Sequence, residues 1–138
     1  MNDQARERVL TELDHVRLAT LSGRGTGARR PASTGIDALL DEAHVVESRK
    51  VASDIVTMHS QVLLRFFDDG VRRLMTLCYP GDANARLGLV SVLSPIGLAL
   101  IGQRVGASVR WESPDGGERV AEVEAIAFQP EASGDYVS

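Results

Sequence analysis

The sequence predicts an α+β fold: two helices, then about five mostly antiparallel strands with one short helix among them. Three observations predict it. Apolar residues recur at helical spacing up to about residue 50, β-branched residues and turn pairs take over beyond it, and the charge divides at the same place. Residues 1–50 hold eight basic and eight acidic side chains, whereas 51–138 hold seven and eleven, so the whole net charge of −4 falls in the second segment. The expected organisation is a helical hairpin over 1–50 and a sheet-bearing domain over 51–138.

Val9, Leu10, Leu13, Val16 and Leu21 lie three to five apart or adjacent within Asp3–Leu21, which predicts a first helix. At about 1.5 Å per residue it would be roughly 28 Å long. Ile36, Leu39, Leu40, Ala43 and Val46 give a cleaner stripe for a second helix, with Thr34-Gly35-Ile36-Asp37 as a short capping box. Joined by the Gly-rich, basic stretch from Ser22 to Ser33, the two should pack as a short antiparallel hairpin. Gln61–Asp68 alternates, with Val62, Leu64 and Phe66 on one face, and Asp69-Gly70 turns it into Val71–Cys78. Gly88–Val92 reads as a short strand. Pro95–Ile101 reads as a short helix, with Pro in its first turn and Gly102 closing it. Ser108–Glu112 and Glu118–Phe128 form a second hairpin around Pro114-Asp115-Gly116-Gly117.

The chain has 138 residues, room for one ordinary domain and a small appendage; 43% apolar and 25% charged side chains are globular proportions. Its acidic balance disfavours strong independent nucleic-acid binding. No apolar run approaches the ~20 residues of a membrane span, no apolar leader follows Met1, and the single cysteine, Cys78, cannot form an internal disulfide. A cytoplasmic protein is expected, and nothing requires more than a monomer.

No catalytic set assembles. His15, His44 and His59 have no paired-ligand spacing, so no metal is expected, and no cofactor motif is present. Gly23-x-Gly25-x-Gly27 follows a helix rather than a strand, which fits a hairpin tip better than a phosphate loop. Cys78 ends a strand as a small buried hydrophobe, no serine sits in a nucleophile elbow, and the Asp41-Glu42 and Asp68-Asp69 pairs read as solvated charge. The positive signal is Arg24, Arg29 and Arg30, crowded at the tip with no acid between Ser22 and Ser33. Such a cluster serves solubility or contacts an acidic surface or phosphate.

Val90-Ser91-Val92-Leu93-Ser94-Pro95-Ile96-Gly97-Leu98-Ala99-Leu100-Ile101-Gly102, followed by Val105-Gly106, resembles the C-terminal domain of the bacterial Gre transcript-cleavage factors. The closing hairpin, with Glu122-Val123 and Ile126-Ala127-Phe128, fits the same domain. Asp54–Ser60, Thr76–Pro80 and Phe128–Tyr136 resemble a branch of that family with a truncated coiled coil, the regulators of nucleoside diphosphate kinase. The resemblance covers about residues 36–138. It implies an FKBP-like domain that docks on the rim of the RNA polymerase secondary channel, with the coil directed toward the channel. The turn that grips polymerase in Gre factors corresponds to Leu93, Ser94 and Pro95, where Leu93 replaces a residue that is usually polar. Ser94 alternatively serves only to cap the helix at Pro95.

Gre factors carry acids at the coil tip that help hold a metal ion in the polymerase active site, because a hard divalent cation wants charged oxygens. Here the tip carries only arginines. The resemblance therefore implies a non-enzymatic regulator that occupies the Gre site without stimulating cleavage and affects nucleoside diphosphate kinase indirectly. A true cleavage factor is the alternative. An FKBP-like prolyl isomerase is a weaker one, since 4% aromatic residues offer little for its pocket.

Overall fold

The computed structural model describes residues 8–22, 34–113 and 115–134. Val9, Leu10 and Thr11 are extended and all buried, forming strand β1 (Val9–Thr11) where the sequence predicts the interior of a helix. Two of the three are β-branched and every side of the segment is covered, conditions that favour a buried parallel strand over a one-sided helix. Its partner is β2 (His44–Val46), in the register Val9↔His44, Leu10↔Val45 and Thr11↔Val46. The second predicted helix is cut short for the same reason: α2 (Thr34–Glu42) ends before the β-branched pair Val45-Val46. The expected Thr34 cap rests on a side chain outside the described residues.

Thr11 closes β1 and starts α1 (Glu12–Ser22), its Oγ1 accepting from the Asp14 amide at 3.0 Å. The buried face of α1 is Asp14 and Leu18, one turn apart, whereas Val16 is 60% exposed. The buried face is thus rotated from the stripe the sequence predicts: Val9 and Leu10 belong to β1, and a carboxylate takes part in the buried face of α1. On α2, Ile36, Leu39 and Leu40 are buried as their spacing requires. The two helices touch, and the His15 ring lies 2.9 Å from the Leu40 carbonyl oxygen.

The strands β3 (Gln61–Phe66), β4 (Arg72–Cys78), β5 (Leu89–Ser91), β6 (Ser108–Glu112) and β7 (Glu118–Phe128) form one sheet in the order β5-β4-β3-β7-β6. All pairings are antiparallel except β4 with β5. Val62, Leu64 and Phe66 are buried on one face of the central strand, as the alternation predicts. Gly70 turns the first hairpin at φ +70°, with the Val71 amide donating to Asp69 Oδ1 at 3.0 Å. Helix α3 (Pro95–Leu100) leaves β5 and ends at Ile101, with Gly102 in the left-handed conformation behind it.

One apolar cluster joins these parts. Leu10, Leu18, Ile36, Leu39 and Leu40 share it with Met58, Val62, Leu64, Leu77, Leu100 and Val123. No helix among the described residues is long and apolar enough to cross a membrane.

Candidate docking surface

The turn from β5 into α3 is fixed by two serines and a glycine. The Leu93 amide donates to Ser91 Oγ at 3.0 Å, and the Ser94 amide and hydroxyl both donate to the Ser91 carbonyl, at 3.0 and 2.7 Å. Ser94 Oγ in turn accepts from the Gly97 amide at 3.1 Å, so Ser94 is the N-cap of α3. A Cβ on Gly97 would stand 2.0 Å from the Ser91 carbonyl oxygen, so only glycine lets α3 lie this close to β5. Val92 is fully buried beneath the turn, and its amide donates to the Cys78 carbonyl.

Leu93, Ser94 and Pro95 are therefore brought together as one rigid ledge. The Ser94 hydroxyl spends its proton and one lone pair inside the turn. What faces outward is the exposed Pro95 ring and half-buried Leu93. Beside Pro95 a groove of about 250 Å³ runs between α2, α3 and β6, floored by Leu39, Leu98 and Trp111. Trp111 is held edge-on to Phe66, with ring centroids 5.7 Å apart.

Arg8 closes one end of the groove. Its guanidinium donates to the Leu98 carbonyl and, at 3.3 Å, to that of Ile101, which places a cation at the carbonyl end of α3. Burial lowers its pKa to about 10, so it stays charged at neutral pH. Sequence reasoning missed Arg8 and Trp111, because an arginine next to a buried strand and one tryptophan carry no local signal.

A second cluster locks α1 onto the segments that lead into β3 and out of β4 and β7. Buried Asp14 accepts from Arg17 at 3.0 Å and from the Met58 amide at 3.0 Å. The Arg17 guanidinium lies 5.9 Å from the Tyr79 ring centre, and His59 meets the same ring edge-on at 5.6 Å. Thr57 donates to Glu131 at 2.7 Å, and burial, reinforced by nearby Asp14, pushes the Glu131 carboxyl above its usual range. Residues of the three stretches Asp54–Ser60, Thr76–Pro80 and Phe128–Tyr136 thus meet around α1. A spacing of three between Asp14 and Arg17 was the one available hint.

Cys78 is buried, and that burial, with Asp82 second, raises its thiol pKa. Asp41, Glu42, Asp68 and Asp69 are exposed, as expected. Among the described residues no group of His, Cys, Asp and Glu could hold a metal ion. Arg24, Arg29 and Arg30 lie outside the described residues.

A curled five-stranded sheet with a Ser-capped ledge at its edge is matched by a known family. Residues 51–128 fit the model described as the transcription elongation factor GreA/GreB C-terminal domain, and the chain belongs to that family. Nearly the whole chain is similar to one group within it. The chain is 39% identical over 132 residues to the regulator of nucleoside diphosphate kinase of Escherichia coli K12, covering 94% of this chain and 95% of that one. The GreA factor of Chloroflexus aggregans is 37% identical over 78 residues, which are 56% of this chain and half of the factor. Among solved structures, a GreA/GreB elongation factor from Nitrosomonas europaea superposes with a TM-score of 0.69 at 29% identity, covering 88% of this chain and 98% of that one.

Proposed function

We propose that this protein, a Gre-like transcription-associated regulator by family, binds RNA polymerase at the rim of the secondary channel. It acts there as a non-enzymatic monomer in the cytoplasm and competes with Gre factors without stimulating transcript cleavage. The observation that carries the reading is the preorganised Leu93-Ser94-Pro95 ledge: its hydrogen bonds are satisfied internally, so a partner meets an apolar, already ordered edge at little entropic cost. In this reading 51–138 is an FKBP-like docking domain and 1–50 a truncated coil. Arg24, Arg29 and Arg30 at its tip contact polymerase or RNA phosphates. The reading is non-cleaving because no carboxylate stands between Ser22 and Ser33 to help hold a metal ion. Any effect on nucleoside diphosphate kinase then runs through transcription.

The test is binding of the purified chain to core RNA polymerase with a Gre factor as competitor. Binding that the Gre factor displaces is expected. Pro95→Asp should weaken it at least tenfold, while the fold survives because an acid is well tolerated in the first turn of a helix. Stalled elongation complexes should show no added cleavage. Absence of binding would overturn the docking reading; robust cleavage would overturn the non-cleaving one.

A further inference from the structure

The sheet carries a second unusual surface, at the opposite end of β5 from the ledge. Arg73, Leu74, Met75, Arg86, Leu87 and Val90 line an open groove of about 480 Å³ between β4 and the turn that precedes β5. Leu87 is 70% and Leu74 51% exposed, among the most exposed large apolar side chains of the described residues. Among the described residues no carboxylate lines the groove, although the protein is acidic overall.

The arginines here differ from those elsewhere on the sheet domain. Arg65, Arg72, Arg104, Arg110 and Arg119 each face a carboxylate, at distances from 2.6 to 3.8 Å. The guanidinium groups of Arg73 and Arg86 pair with none of the described residues. Among the described residues, the two arginines of 51–138 that face no carboxylate therefore flank two exposed leucines.

One backbone donor is left at the same place. Leu77 donates to Ser60 on the β3 side, whereas Thr76 donates to Gly88 on the β5 side. Alternation along an antiparallel ladder then makes Leu63↔Leu74 a non-hydrogen-bonded pair, so the Leu74 N–H points toward the groove, while its carbonyl lies against Gly88, whose Cβ position is 3.1 Å from that oxygen. Strand β5 covers only Thr76–Cys78, so it stops short of Leu74. A backbone donor beside apolar and cationic side chains fits an extended segment, with a backbone carbonyl of that segment accepting from Leu74 and side chains supplying selectivity.

We infer that this groove is a docking site for an extended segment of a partner protein in which an apolar side chain is flanked by carboxylates. The apolar residue would cover Leu74 and Leu87, the carboxylates would meet Arg73 and Arg86, and a backbone carbonyl of the segment would accept from the Leu74 N–H. Two arginines without an aromatic platform make a poor nucleic-acid surface by comparison. The site is separate from the Leu93–Pro95 ledge and does not depend on the polymerase reading.

The probe is a phage-displayed library of random dodecapeptides panned against the full-length chain, with recovered peptides synthesised and titrated. Peptides pairing Asp or Glu with a central Leu, Ile or Phe are expected. Their affinity should fall at least tenfold in Arg73→Glu/Arg86→Glu and in Leu87→Asp. It should hold within twofold in Arg104→Glu, which changes net charge away from the groove. Saturating peptide should slow exchange of the Leu74 amide at least tenfold. All these positions are exposed, and unchanged melting would certify each variant as folded. Recovery of peptides without acidic enrichment, or affinities indifferent to both groove variants, would overturn the inference. Self-association abolished by the same substitutions would overturn it in favour of a second copy of the chain.

Discussion

Gly97 shows how one residue sets the spacing of two elements. Its missing Cβ leaves the 2.0 Å position beside the Ser91 carbonyl empty, and the obstacle is backbone, which cannot rotate away. Gly97→Ala should therefore destabilise the protein by about 3 kcal/mol, at the upper end of overpacking costs, measured by chemical denaturation. Glu131 makes a residue-scale prediction with a sign. Its carboxyl is held above the ordinary 4.5, first by burial, with the Thr57 hydrogen bond opposing. The folded state thus binds the proton more tightly than the unfolded state. The stability this gives is full below the unfolded value and is lost as pH rises through the folded one. Glu131→Gln keeps an acceptor for Thr57 and removes the charge. Its denaturation midpoint should exceed the natural protein's at pH 7, and the gap should close as the pH approaches 4.

At the scale of elements, the joint between α1 and the segment leading into β3 is a polar one inside an apolar setting. Asp14 accepts from Met58 on one oxygen and from Arg17 on the other while itself fully buried. Asp14→Ala would leave the Met58 N–H buried without an acceptor and should cost about 3 kcal/mol, the low end for breaking a buried ionic contact. Asp14→Asn, which keeps one acceptor, should recover part of this in the same denaturation experiment. The strands and α3 were legible in the sequence because their signals are local: alternation in Gln61–Phe66, the Asp69-Gly70 turn, Pro95 and Gly102 at the ends of a six-residue helix. Strands β1 and β2 were not. Each has three residues, and their pairing spans the whole first helical segment, so no window of sequence contains the partner that makes them strands.

Across the whole molecule, Leu10, Leu18, Ile36, Leu39 and Leu40, all before position 50, are part of the common core. Leu18 is completely buried in the same cluster as Val62 and Leu100, so the helices and the sheet stabilise each other. Leu18→Ala should cost roughly 3 kcal/mol by the usual cavity penalty. Far-ultraviolet and near-ultraviolet transitions should shift together, as for one cooperative unit; separate transitions would speak for independent folding of 1–50 and 51–138. The sequence by itself determined the five strands, the short capped helix, the Leu93–Pro95 turn and the family resemblance, because each is written in neighbouring residues. Only the tertiary structure decided that α1 turns Asp14 and Leu18 inward, that Arg8 caps α3 from the far end of the chain, and that Arg73 and Arg86 share one groove. Those facts depend on which distant segments touch, and a charge or an apolar side chain acquires its partner, or its lack of one, only when the chain closes on itself.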